Sequence, residues 1–264
     1  MTWHSGVMRA LASVDVLADE HYLIAQCDHA TLAAAMREAG LVADALVVDA
    51  PYSGRTHTGH DSAAATADNM ERSIDYVSWS DVDARAFVNA WEPLVRGWFC
   101  SLTDHVLAVA WDAHLVGHGR YVFSPIACVE NNSRVRALGD GPAQWSTWLI
   151  AARRRNREAA SWGALRGAYV GGKEAKPVTG GKPLWLMRAI VGDYSAPGAV
   201  VVDPCMGAGT TLVAAVELGR RAIGCEPDAG RYEIAAKRLA QTRPQLALPI
   251  TTEVPMTQTR LEDE

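Results

Sequence analysis

The stretch Val200-Val201-Val202-Asp203-Pro204-Cys205-Met206-Gly207-Ala208-Gly209-Thr210-Thr211 constrains this 264-residue chain more than any other. Three consecutive valines signal a buried strand, which we read over Ala199 to Val202. A helix-like run, Thr211 to Leu218, follows and is closed by Gly219. Strand, Gly-x-Gly turn and helix together form a cradle. The glycines let backbone approach a ligand, and the helix N-terminus is electropositive. The turn departs from the dinucleotide fingerprint, because Gly-x-x-Gly is not completed, and it lacks the Gly-Lys-Ser/Thr of a phosphate loop. A carboxylate, Asp203, stands ahead of the glycines, where it repels phosphate and suits an ammonium or sulfonium group.

The next strand, Ala222 to Cys225, ends in Glu226, 17 residues beyond Gly209. An acid at that place typically receives ribose hydroxyls. The ligand implied has a ribose and a cationic group and needs no phosphate. S-adenosylmethionine fits that description.

The other apolar runs alternate with helix-like stretches, which predicts a largely parallel sheet with helices on both faces. Strands are expected at His21 to Ala25, Ala45 to Val48, His105 to Ala110, Arg120 to Phe123 and Trp148 to Ala152. Helices are expected at Thr31 to Ala39, Val82 to Phe99, Trp185 to Val191 and Gly230 to Ala240. Ser124 to Ser146 and Arg153 to Lys182 show no clear period. No apolar run reaches the ~18 residues of a membrane span, and Met1 to Ala10 lacks the pattern of a secretory signal. Hydrophobic residues at 49% and charged residues at 21% exclude disordered and collagen-like classes. The five cysteines include no C-x-x-C pair and are expected as free buried thiols in a reducing cytoplasm.

A second motif is Leu46-Val47-Val48-Asp49-Ala50-Pro51-Tyr52. It places an acid and an aromatic at the carboxyl end of a strand, where open α/β sheets bind ligands. The carboxylate and a neighbouring backbone carbonyl can together accept both hydrogens of an exocyclic amine. Tyr52 offers a flat surface to a base removed from its stack.

In this order the residues resemble the DNA amino-methyltransferases of the permuted, beta-group type, which modify adenine N6 or cytosine N4. Asp49 to Tyr52 is similar to their D-P-P-Y motif, and Asp203 to Thr211 to their D-P-F-x-G-x-G-T-T cofactor motif. Gly181-Lys182-Pro183 resembles the K-P element, Arg220 to Glu226 the strand with the ribose acid, and Gln26-Cys27-Asp28 a G-D pair. The likeness runs from about Tyr22 to Leu239, with a gap in the middle. It implies a Rossmann-like methyltransferase fold with a mostly parallel seven-stranded sheet, circularly permuted, and S-adenosylmethionine as cofactor. Asp49 and the Ala50 carbonyl would accept the target amine, beside Pro51 and Tyr52. Asp203, Pro204, Gly207, Gly209 and Glu226 would hold the cofactor, with Thr210 and Thr211 near its carboxylate. Asp28 would meet its adenine, and Lys182 and Pro183 would line its methionine end. Ala50 departs from the family's Pro and lacks that residue's rigidity; Cys205 departs from its Phe, and Gln26 from its Gly.

Residues 1–242 are then one catalytic domain, with 124–182 containing a target-recognition insertion, and 243–264 form a loosely ordered tail. Between Arg120 and Arg188, twelve basic residues face four acidic ones, a net +8 against −13 for the remainder. Such a segment suits the phosphates of double-stranded DNA. The contacts expected there are Arg134, Arg136, Arg153, Arg154, Arg155, Arg157, Lys173 and Lys176, joined by Arg55 and His57 in the loop after the catalytic motif. His57 and His60 lack a third ligand, so no metal is expected, and His105 reads as a structural histidine at a strand start.

Most of the nine tryptophans should pack in the core. The favoured activity is site-specific methylation of adenine N6, since the cytosine N4 members more often begin the motif with Ser. Cytosine N4, an RNA or protein-glutamine amine, and a non-catalytic DNA-binding homologue remain as alternatives. A homodimer and a restriction partner stay open. Arg-rich, Lys-poor usage (21 Arg, 4 Lys) points to a GC-rich genome, bacterial or phage, and the expected free thiols to its cytoplasm.

Overall fold

The computed structural model describes residues 2–55, 77–131, 145–155, 163–178 and 180–245. Among the described residues, ten strands form one mixed sheet in the order β1-β2-β10-β9-β3-β4-β7-β6-β8, with β5 beside β7. The strands are β1 Val16–Ala18, β2 Tyr22–Ala25, β3 Ala43–Asp49, β4 Val95–Thr103 and β5 Arg120–Val122. The others are β6 Ile126–Asn131, β7 Ser146–Arg154, β8 Ala168–Gly172, β9 Val200–Asp203 and β10 Arg221–Cys225. The five from β2 to β4 along this order are mutually parallel, and β7 runs antiparallel to β4. The resemblance implied seven strands. The additional ones are the short β1, β5 and β8, which extend the sheet.

Side chains alternate across the sheet with period two, and each face has its own core. Leu46, Val48, Phe99, Val202 and Ile223 pack under helices α1 Ser5–Ala10, α2 His29–Glu38, α3 Asp81–Trp91 and α4 Ala108–Gly117. Ala45, Val47, Trp98, Val201 and Ala222 pack under α5 Leu184–Tyr194, α6 Thr210–Glu217 and α7 Ala229–Gln241. The helix-sheet-helix sandwich is therefore the one expected. Trp91, Trp98 and Trp111 are core residues. All five cysteines are free, and among them only Cys205 is not fully buried.

Two expected elements are corrected. Val82 to Phe99 is not one helix: α3 ends at Trp91, a 3-10 turn containing Pro93 follows, and β4 starts at Val95. Trp98 to Thr103 is buried on both faces, and such a strand has no period to distinguish it from a buried helix. The close approach of β4 to β3 requires glycine at 97, where a Cβ would collide with the Asp44 carbonyl oxygen. His105 to Ala110 is likewise not a strand; it is the turn into α4, with His105 exposed in that turn. In the aperiodic segments, β6 and β8 were not foreseen. They are short, and Gly171 and Gly172 interrupt the pattern of β8.

Candidate active site

Carboxylates gather where the parallel strands end. Asp49 closes β3, Asp203 closes β9, Glu226 follows β10, Asp28 lies three residues after β2, and Asp104 follows β4. Asp28, Asp49, Asp203 and Glu226 line a single cavity of about 440 Å³. Pro51, Lys182, Pro204, Gly207, Thr210 and Thr211 share it. The two motifs, separated by about 150 residues in the chain, thus meet because β3 and β9 are neighbours.

The glycine turn is built as a cradle. Asp203 accepts the Cys205 N–H at 3.1 Å, and the Met206 N–H reaches the Cys225 carbonyl at 3.1 Å. Gly209 stands ahead of α6 at φ 76°, and a Cβ there would lie 3.0 Å from that of Ala235. Glu226 accepts the Gly207 N–H at 3.1 Å and the Asp228 N–H at 3.0 Å. Burial pushes Asp203 up to about 7; the Thr211 and Cys205 hydrogen bonds oppose this, and the neighbouring Asp49 and Glu226 charges add to it. Glu226 is also raised, chiefly by burial. Two buried acids held above their ordinary range fit a cationic, hydroxyl-bearing ligand in this cradle. Asp28 caps α2 by accepting the Thr31 N–H at 2.8 Å, which holds its carboxyl below the usual range.

At the other end of the cavity, the Tyr52 hydroxyl donates to Asp49 Oδ1 at 3.2 Å, and Lys182 Nζ donates to Oδ2 at 2.8 Å. The same ammonium sits 4.8 Å from the centre of the Tyr52 ring. Lys182 therefore occupies both the carboxylate oxygen and the ring face that the sequence motif offers to an amine and a base. Glu174 accepts the Leu184 N–H at 2.7 Å and so fixes the start of α5, just after Pro183.

The basic residues divide between the two ends of the sheet. Lys176 pairs with Glu130 at 2.7 Å beyond β8, on the same side as Asp49, and Lys173 is exposed nearby. Arg55 is exposed after the 49–52 motif. Arg153, Arg154 and Arg155 are not brought to this end. Because β7 is antiparallel to β4, they lie roughly 13 to 20 Å away along the strands. There Arg154 bonds Glu92 and the Val95 carbonyl, at 3.3 Å each, while Arg153 and Arg155 stack on Tyr121. His57, Arg134, Arg136 and Arg157, together with His60, lie outside the described residues.

Several cavity residues gave no signal in the sequence. His29 and Trp79 wall it, with ring centres 5.8 Å apart, and burial lowers the His29 pKa. Behind the cavity lining, Arg238 on α7 donates to the Ala208 carbonyl and, at 3.0 Å, to the Thr210 hydroxyl, bracing the turn. Only the one-turn spacing of Arg238 from the buried Ala235 hinted that its side chain faces inward.

Residues 120–237 match the family model described as DNA methylase. The type II methyltransferase M.HindIII of Haemophilus influenzae is 47% identical over 58 residues, 22% of this chain and 19% of that protein. M.HinfI of Haemophilus influenzae is 40% identical over 63 residues, 24% of this chain and 18% of that protein. The chain thus spans about a fifth of the length of these curated relatives. Among solved structures, the M1.HpyAVI-SAM complex superposes with a TM-score of 0.64 at 22% identity, over 83% of this chain and 98% of that one. The cytosine-N4-specific PvuII DNA methyltransferase superposes at 0.57 and 10% identity, over 83% and 86%. These two likenesses show the fold. With the family match on 120–237 and both motifs opening on one cavity, the chain is similar over that segment to the N6/N4 DNA methylases.

Proposed function

We propose that this chain is a DNA methyltransferase that modifies an exocyclic amino group of a base, with adenine N6 the favoured target. The observation that carries the reading is the shared cavity: Asp49 at one end, Asp203 and Glu226 at the other. Bound S-adenosylmethionine supplies the electrophilic methyl group. Asp203 would receive its amino group and Glu226 its ribose hydroxyls. Thr210, Thr211, Gly207 and Gly209 would offer it the start of α6, Pro204 and Pro183 would flank it from the turn and α5, and Asp28 would meet its adenine.

Asp49 and the Ala50 carbonyl accept the two amine hydrogens and aim the nitrogen lone pair. Tyr52 stacks on the base once Lys182 has left its face. No covalent work falls to the protein, so the rate comes from placement and from excluding water. The favoured adenine target rests on an acid, Asp49, opening the motif. We assign DNA contacts to Arg55, Lys173 and Lys176 at the catalytic end, with His57, Arg134, Arg136 and Arg157 as further members. We treat 1–242 as one catalytic unit whose 124–182 segment carries target recognition. Arg153, Arg154 and Arg155 remain proposed only as contacts to a duplex long enough to pass the far end of the sheet.

Nucleoside mass spectrometry tests this. The purified chain, unmethylated DNA and S-adenosylmethionine should yield N6-methyladenine. N4-methylcytosine instead would keep the mechanism and correct the base. No product on any DNA, with cofactor bound, would overturn the reading in favour of an RNA or protein amine or a non-catalytic DNA binder.

A further inference from the structure

We propose that Asp104 is a positioning residue for the transfer, holding Ser53 and through it the Ala50 to Tyr52 segment against Asp49. The inference rests on the methyltransferase reading above. Asp49 pairs with Leu102 as the last rung between β3 and β4, and past it both chains leave the sheet. Ala50 to Ser53 therefore crosses the rim of the sheet without a β-ladder. Its backbone is held from the far side. The Ser53 N–H and hydroxyl both donate to Asp104 Oδ2, at 2.9 and 2.6 Å, and the Trp79 N–H donates to the Tyr52 carbonyl at 2.9 Å.

The other Asp104 oxygen accepts the Val106 and Leu107 N–H groups at 3.1 and 2.9 Å, in the turn that starts α4. One carboxylate, only 1% exposed, thus ties the catalytic segment to a packed helix. A buried charge is costly unless donors surround it, and at least four donors among the described residues do so here. A neutral amide would turn its NH2 toward donors on one side or the other, so the clamp needs both oxygens as acceptors. Ala50 raises the demand. Without a Pro ring at that position the φ angle is free, and rigidity must enter from the Ser53 end. The Ala50 carbonyl and the Tyr52 ring are the groups that would meet the base, and a misplacement of about 1 Å can cost about a hundredfold in rate.

The test compares wild type, Ser53→Ala, Asp104→Asn and Ser53→Thr on one methylatable duplex. It reads kcat, KM for DNA, the Kd of S-adenosylhomocysteine and the thermal midpoint. Ser53→Ala and Asp104→Asn should each lower kcat by roughly 10- to 100-fold. Cofactor-product binding should stay within about twofold, and Ser53→Thr, which keeps the hydroxyl, should recover most of the rate. Wild-type kcat in both losing variants overturns the clamp. So does a rate loss that Ser53→Thr fails to recover, or one that follows cofactor affinity and thermal midpoint in proportion. A wild type that methylates no DNA overturns the underlying reading and this inference with it. An active wild type with active variants overturns the clamp alone.

Discussion

Lys182 and Asp49, 133 residues apart in the chain, form an ion pair of 2.8 Å inside the cavity, and the ammonium also covers the Tyr52 ring. Any amine that is to bond Asp49 must displace that ammonium or share its carboxylate. The side chains are 10% and 24% exposed, so this is a largely desolvated pair. Removing one partner from such a pair costs more than from a surface pair, here about 1–3 kcal/mol. Lys182→Met should lower the thermal midpoint by several degrees and, because Lys182 also lines the proposed methionine end of the cofactor site and holds Asp49 in place, slow methyl transfer at least about tenfold. A variant that transfers faster than wild type would show that Lys182 merely blocks the carboxylate.

Asp49→Ala should abolish methyl transfer while the Kd for S-adenosylmethionine, read by calorimetry, stays within about threefold, since Asp203 and Glu226 hold the other end of the cavity. An unchanged rate would remove Asp49 from the chemistry.

With Asp203 proposed to receive the cofactor's amino group, cofactor affinity should depend on pH. Its carboxyl sits at about 7 in the folded chain against an ordinary 3.8. The native state therefore holds a proton that the unfolded chain has lost, and stability from this group falls as pH rises from about 4 to about 7. A cationic amine beside the carboxylate favours ionisation, so binding near pH 6 releases a proton. Affinity should rise from pH 5.5 to 7.5 and then level, and calorimetry in buffers of different ionisation enthalpy should detect the released proton. Asp203→Asn should flatten that rise, weaken binding, and leave the ligand-free protein at least as stable as wild type at pH 8.

DNA affinity should follow the end of the sheet on which a cation lies. Lys173→Ala is expected to weaken binding and reduce the slope of log K against log salt by about one. Arg155→Ala, at the opposite end, should leave both nearly unchanged on a short duplex. The reverse result, read by fluorescence anisotropy at several salt concentrations, would place the DNA across the far end.

Much of the site was legible because its chemistry is local. The turn at 203–211 needs Asp, Gly and Thr at fixed offsets next to a strand, and Glu226 ends the following strand at a familiar distance. Strands with plain flanks, such as β3, β9 and β10, could be read within two residues. β4 could not, because burial on both faces removes the alternation that marks a strand, and the apolar spacing continues from α3. The Arg153 to Arg155 run showed its charge but not its place, since antiparallel pairing with β4 turns it away from Asp49.

The sequence by itself determined the chemical repertoire of this protein: an acid at the end of one strand, a glycine cradle at the end of another, and their order along the chain. These follow from backbone and side-chain preferences acting over a few residues. Tertiary structure decided which groups meet. It joined Lys182 to Asp49 and Asp104 to Ser53, and it sent Arg154 to Glu92. Those contacts depend on strand order and direction, which are set by packing two apolar faces under helices drawn from across the whole chain.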